Sequence, residues 1–176
     1  MAAHALATFR QARTLTENEF DTQWENYVAS SAALTRPRKQ AFVFPSKQHA
    51  FSFVVTTNQI PTPPWVEPTL SAFVRVQGLP NNWNSYGGKK VDRDLISQSL
   101  SVLEMIMQVT SPPPSVVPLG DGGIQLEWHR KQQDLEMSFP ADDRPQYFYR
   151  NNAAGVEKEG FASDITTLTQ LLESIA

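Results

Sequence analysis

The chain is expected to fold as α+β: an antiparallel sheet, built from a C-terminal three-strand meander and an N-terminal hairpin, with helices packed on one face. Three observations lead there. Segments of apolar/polar alternation, such as Ile124 to Trp128 and Leu135 to Phe139, mark half-buried strands. Short polar turns join them, which favours antiparallel neighbours. Other segments repeat apolar residues at helical spacing, as in Ile96, Leu100, Leu103 and Met107.

Residues 1–15 read as a flexible tail and residues 16–176 as a single domain. Thr16 and Glu19 form a capping box for a helix over about 17–33 whose stripe is Phe20, Trp24 and Tyr27. Ala41 to Phe44 and Ala50 to Thr57 are rich in Phe and Val and flank a polar loop, giving the first hairpin. Pro61, Pro63 and Pro64 make the next stretch a loop. Pro68 suits the first turn of a short helix carrying Leu70, Phe73, Val74 and Gln77, which Gly78 stops.

A polar loop over 79–90 follows, and its aromatics Trp83 and Tyr86 are expected to pack down on the core. Asp92 caps the next helix, in which Met105 and Met107 read as core filler. Pro112, Pro113 and Pro114 form a stiff connector to a short edge strand at Val116 to Pro118. The hairpin of Ile124 to Phe139 comes next, then a third strand at Gln146 to Arg150. Asn151 to Gly160 reads as a loop, and Ser163 as the cap of a last helix bearing Ile165, Leu168, Leu172 and Ile175.

Composition narrows the function. With 15 Lys and Arg against 18 Asp and Glu, the net charge of −3 supplies no broad positive field, so nucleic acid is not the expected partner. The absence of cysteine excludes disulfides, thiol catalysis and cysteine-based metal sites. No apolar run reaches the length of a membrane span, and a cytoplasmic location is expected.

The candidate chemistry lies on the polar face of the second hairpin. A turn at Arg130 to Gln133 pairs Trp128 with Leu135 and Leu126 with Met137, inward. The same register sets His129 opposite Asp134, Glu127 opposite Glu136 and Gln125 opposite Ser138, outward. Two facing carboxylates repel, and something must compensate. A shared proton would make a general acid of one of them. A divalent ion with His129 as a further ligand, a basic residue such as Arg150 or Lys131, or solvent screening would serve as well. A solvated outer face is the plainest of these readings, because structural charge networks are common.

Trp83-Asn84-Ser85-Tyr86-Gly87-Gly88, followed by Pro118-Leu119-Gly120-Asp121-Gly122-Gly123-Ile124-Gln125-Leu126-Glu127-Trp128, resembles the pattern of a family of small uncharacterised bacterial proteins. In that family a Trp-Asp/Asn-Gly/Ser-Tyr-Gly loop precedes a helix and a Pro-x-x-Asp-Gly-Gly-Ile/Val-x-Leu-Glu-Trp strand. The likeness covers about residues 79–139, and Gly88-Lys89-Lys90 departs from the small residue and Pro usual there. It implies a bacterial or mobile-element origin and carries no activity and no catalytic residues.

The expectation is therefore a small, soluble, non-enzymatic module that binds a partner protein, of the antitoxin, immunity or defence-accessory kind. Its interaction face would comprise Glu127, His129, Asp134, Glu136 and Arg150 with Trp83 and Tyr86, and no cofactor or metal is expected. The alternatives are a hydrolase-type enzyme working through Glu127, Glu136 and His129, with or without a metal, and a nucleic-acid binder using Arg36, Arg38, Lys39, Lys89 and Lys90.

Overall fold

The computed structural model describes residues 8–11, 38–44, 51–57 and 62–176. The helix expected over 17–33, with its capping box and aromatic stripe, lies outside the described residues, as does Arg36.

Two antiparallel sheets form. The smaller has strands β1 (Thr8–Gln11), β2 (Arg38–Phe44) and β3 (Phe51–Thr57) in the order β1-β3-β2. The expected first hairpin is its β2–β3 pair, with Phe42 opposite Phe53 and Phe44 opposite Phe51. It is a sheet of its own and does not extend the C-terminal one. Thr8–Gln11, inside the stretch expected as a tail, pairs with β3.

The larger sheet is a five-strand meander of β4 (Ser115–Pro118), β5 (Ile124–Arg130), β6 (Gln133–Phe139), β7 (Gln146–Asn151) and β8 (Val156–Phe161), in sequence order. β4 is the expected edge strand. β8 corrects the loop expected at 151–160. Its inward positions are Val156, Lys158 and Gly160, so it has no apolar face to announce it, and the ladder to β7 holds it. Gly160 has a steric role there, since a Cβ would stand 2.8 Å from the Tyr147 ring.

β5 and β6 pair in the register that alternation dictates: Trp128 with Leu135, Leu126 with Met137, Glu127 with Glu136 and His129 with Asp134. The loop is the two residues Lys131 and Gln132, at φ 51° and 60°. Two left-handed residues make the tight turn whose twist matches that of the strands.

Helices α1 (Val66–Gln77), α2 (Arg93–Ile106) and α3 (Ile165–Ile175) complete the described elements. α2 and α3 pack on each other and on the inner face of the sheet, and α1 lies against β4. Ile96, Leu100, Leu103, Ile106, Leu168, Leu172 and Ile175 meet Ile124, Leu126, Trp128, Leu135, Met137 and Phe139 in one core, all of them buried. Each such side chain contributes on the order of 1.5–3 kcal/mol. The Trp128 indole N–H, buried with its ring, donates to the Pro112 carbonyl at 2.9 Å, so the Pro-rich connector satisfies it.

Asp92 caps α2 by accepting from the Asp94 N–H at 2.8 Å. The cap of α3 is Asp164 rather than Ser163, and it accepts from the Thr167 N–H. Gly78 follows α1 at φ −75°, so the helix stops there without the left-handed conformation that favours glycine. Met105 stands exposed on the outer side of α2 while Met107 is buried at its end.

Candidate functional site on the open face of the sheet

With the helices on one side, the other face of the meander carries no described element. Alternation and register lay its side chains out in rows. One row runs Ser115, Glu127, Glu136, Phe148, Glu159, from β4 to β8. The next, toward the end where β5 begins, runs Val117, Gln125, Ser138, Gln146, Phe161. The third, toward the hairpin turn, runs His129, Asp134, Arg150, Glu157.

The facing carboxylates are compensated by a residue whose outward position was legible but whose role was not. The Gln125 side-chain amide donates to Glu127 Oε1 at 2.9 Å and to Glu136 Oε2 at 3.0 Å. One NH2 group thus satisfies one oxygen on each acid. Its own carbonyl accepts from the Ser138 hydroxyl at 3.2 Å, which orients the amide. This neutral bridge joins the two acids directly, and His129 stands beside one of them, Glu127.

His129 is held between two acids, with Nδ1 2.8 Å from Asp134 Oδ1 and Nε2 3.3 Å from Glu127 Oε2. The bond to Asp134, followed by the bond to Glu127, raises the imidazole above its ordinary range; burial opposes this. The bond from His129 in turn lowers the Asp134 carboxyl. The arrangement is a charge network that fixes an imidazole at a strand end with its side chain 50% exposed.

Arg150 acts on this group only through its charge, which helps to lower the Asp134 carboxyl. It stands opposite Asp134 but turns to the other neighbouring strand, where Nε donates to Glu157 at 3.0 Å and the guanidinium lies 5.3 Å from the centre of the Phe148 ring. Lys131 likewise leaves the face and reaches the carbonyl of Ala176. An open depression of about 230 Å³ lies among Glu136, Ser138, Gln146, Phe148 and Glu159. Glu136 lines it, whereas Glu127 and His129 do not. Among the described residues no three His, Asp or Glu side chains are placed to hold a metal ion.

Trp83 and Tyr86 sit elsewhere. Their loop bonds to the turn that leads into β5, through Lys89 N–H to Gly120 O and Asp92 N–H to Gly122 O, both at 3.0 Å. His129 is at the far end of β5 and Asp134 opposite it at the start of β6, so the expected interaction face divides into two regions. The loop is tied internally: the Asn84 carboxamide oxygen accepts from the N–H groups of Tyr86 and Gly88, and that of Asn82 from Gly87. Asn82 and Ser85 hold φ near 60°. The loop leaves Tyr86 93% exposed, as an interaction face requires and packing on the core does not, while Trp83 is partly buried and donates to the Lys89 carbonyl. Lys89 and Lys90 belong to this loop, whereas Arg38 and Lys39 lie on β2.

Phe148 belongs to a visible aromatic strand, Tyr147 to Tyr149, whereas no signal placed Glu159 and Phe161 on this face. Alternation along Tyr147-Phe148-Tyr149 already turned Phe148 outward, but Glu159 and Phe161 join the face only because β8 exists.

No family model matches the chain, and comparison with curated proteins and with solved structures finds no match.

Proposed function

We propose that the protein is a non-enzymatic interaction module, acting in the cytoplasm, that binds a partner protein through the open face of its five-strand sheet. The supporting observation is the asymmetry of that sheet. All three described helices lie off this face, yet it presents Phe148 and Phe161 among acids instead of a uniformly polar surface. Tyr86, held out on a rigid loop, is a second anchor, because a pre-ordered aromatic loses little entropy on binding. A role as antitoxin, immunity or defence-accessory protein would follow from the nature of the partner.

Affinity capture from the native host tests this reading, using the wild-type chain, a Phe148→Ser/Phe161→Ser variant and a Tyr86→Ala variant. A protein retained by the wild type and lost with the sheet variant supports it. Retention by the sheet variant and loss with Tyr86→Ala moves the contact to the loop. Recovery of the chain alone at every salt concentration overturns the interaction role.

A further inference from the structure

The open face carries five carboxylates, Glu127, Asp134, Glu136, Glu157 and Glu159, against Arg150 and His129. Arg150 is already paired with Glu157 and His129 with Asp134 and Glu127. Glu136 and Glu159 have no cationic partner among the described residues, and they flank Phe148 from opposite sides. Directly opposed residues place Cβ atoms about 4.5–5.5 Å apart, so the two acids rise like walls beside the ring. The depression lined by these three residues, with Ser138 and Gln146 at one end, has room for the head of a long side chain.

We infer that the partner contributes a basic segment whose arginine enters this depression, its guanidinium against Phe148 and between Glu136 and Glu159. This rests on the interaction reading above and names the chemistry of its occupant. Charge complementarity selects a cation. The ring selects the planar, weakly hydrated guanidinium over the compact ammonium of lysine. The chain makes the same contact internally, with Arg150 on one flank of Phe148; the depression lies toward Gln146, on the other. Glu136, half-buried and already oriented by Gln125, needs little reordering to accept a second donor.

The experiment titrates the isotope-labelled full chain with a twelve-residue synthetic peptide of alternating Arg and Ser, read by amide shifts. Its lysine and citrulline counterparts are titrated alongside. Expected are shifts centred on Glu136, Phe148 and Glu159, binding at least about tenfold weaker for the citrulline peptide, and several-fold weaker for the lysine peptide. Glu136→Gln/Glu159→Gln should weaken the arginine peptide about tenfold or more, and Glu159→Gln alone, an exposed edge-strand change, by several-fold. Glu67→Gln/Asp94→Asn, on α1 and α2, should leave it unchanged. The inference is overturned if the depression variants bind as the wild type does, or if the helix variants lose as much. Should the captured partner still depend on Phe148 and Phe161 in that event, the docking face stands and only its cationic occupant is wrong.

Discussion

Glu127 and Glu136 stand directly opposite each other across β5 and β6, each with one carboxylate oxygen accepting from the same Gln125 amide. Like charges in that position repel, and the bridge offsets the repulsion without neutralising either acid.

Gln125→Ala removes the bridge. A loss of about 1 kcal/mol is expected, since the bonds go to charged but partly solvated acceptors. The loss should be larger at low ionic strength than near 1 M salt, where the screening length falls to about 3 Å. Urea denaturation at both salt levels measures it, and an equal loss at both would assign the effect to packing.

The His129–Asp134 pair gives stability a defined pH dependence. His129 is raised in the folded chain, so its contribution is complete below the ordinary histidine value of about 6.5 and is lost as pH rises through the raised value. Asp134 is lowered, so its contribution is present above its ordinary value and is lost as pH falls through the lowered one. The two act together between roughly pH 4 and 6.5. Asp134→Asn should bring the His129 titration midpoint, followed through its ring protons, down toward the ordinary value. A midpoint that does not move would show that Glu127 alone holds the imidazole.

The hairpin turn holds a non-glycine residue at φ 60° in Gln132. A left-handed residue costs about 1–2 kcal/mol, of which a glycine would recover part after its greater unfolded entropy of about 0.4–1 kcal/mol. Gln132→Gly should therefore raise stability by about 0.5 kcal/mol, and Gln132→Val should lower it by more than about 1 kcal/mol. Thermal unfolding of the two variants tests the turn geometry, and a loss on glycine substitution would contradict it.

Gly123 marks the close approach of two chain segments. A Cβ there would lie 2.5 Å from the Phe139 carbonyl oxygen and 2.9 Å from Pro140 Cα, both backbone atoms that yield little. Gly123→Ala should cost about 2–3 kcal/mol. Gly120, with no atom within 4 Å of a Cβ, is the control, and its alanine variant should stay within about 0.5 kcal/mol of the wild type. Equal effects at the two positions would contradict the close packing of this turn on β6.

The β5–β6 register was legible because one face had to be buried. Slipping by one residue would have sent Trp128, Leu126 and Met137 to solvent and the glutamates to the core, so the alternation itself selected the pairing. Outward placement of Glu127, His129, Asp134 and Glu136 followed from it. β8 was hidden because Val156 to Phe161 carries no apolar stripe, and that omission also concealed Glu157, Glu159 and Phe161. The ion pair of Arg150 with Glu157 was hidden for the same reason, since Glu157 stands on that strand.

Burial of an apolar face is a property of local order along the chain, so the strands β5 to β7, helices α1 to α3 and the polarity of each face were determined by sequence alone. The choice among polar partners was decided only in three dimensions. Gln125 spans two acids, Arg150 turns to Glu157, and Tyr86 points outward because hydrogen bonds are directional and short. Which donor meets which acceptor depends on side chains brought together from separate strands and loops.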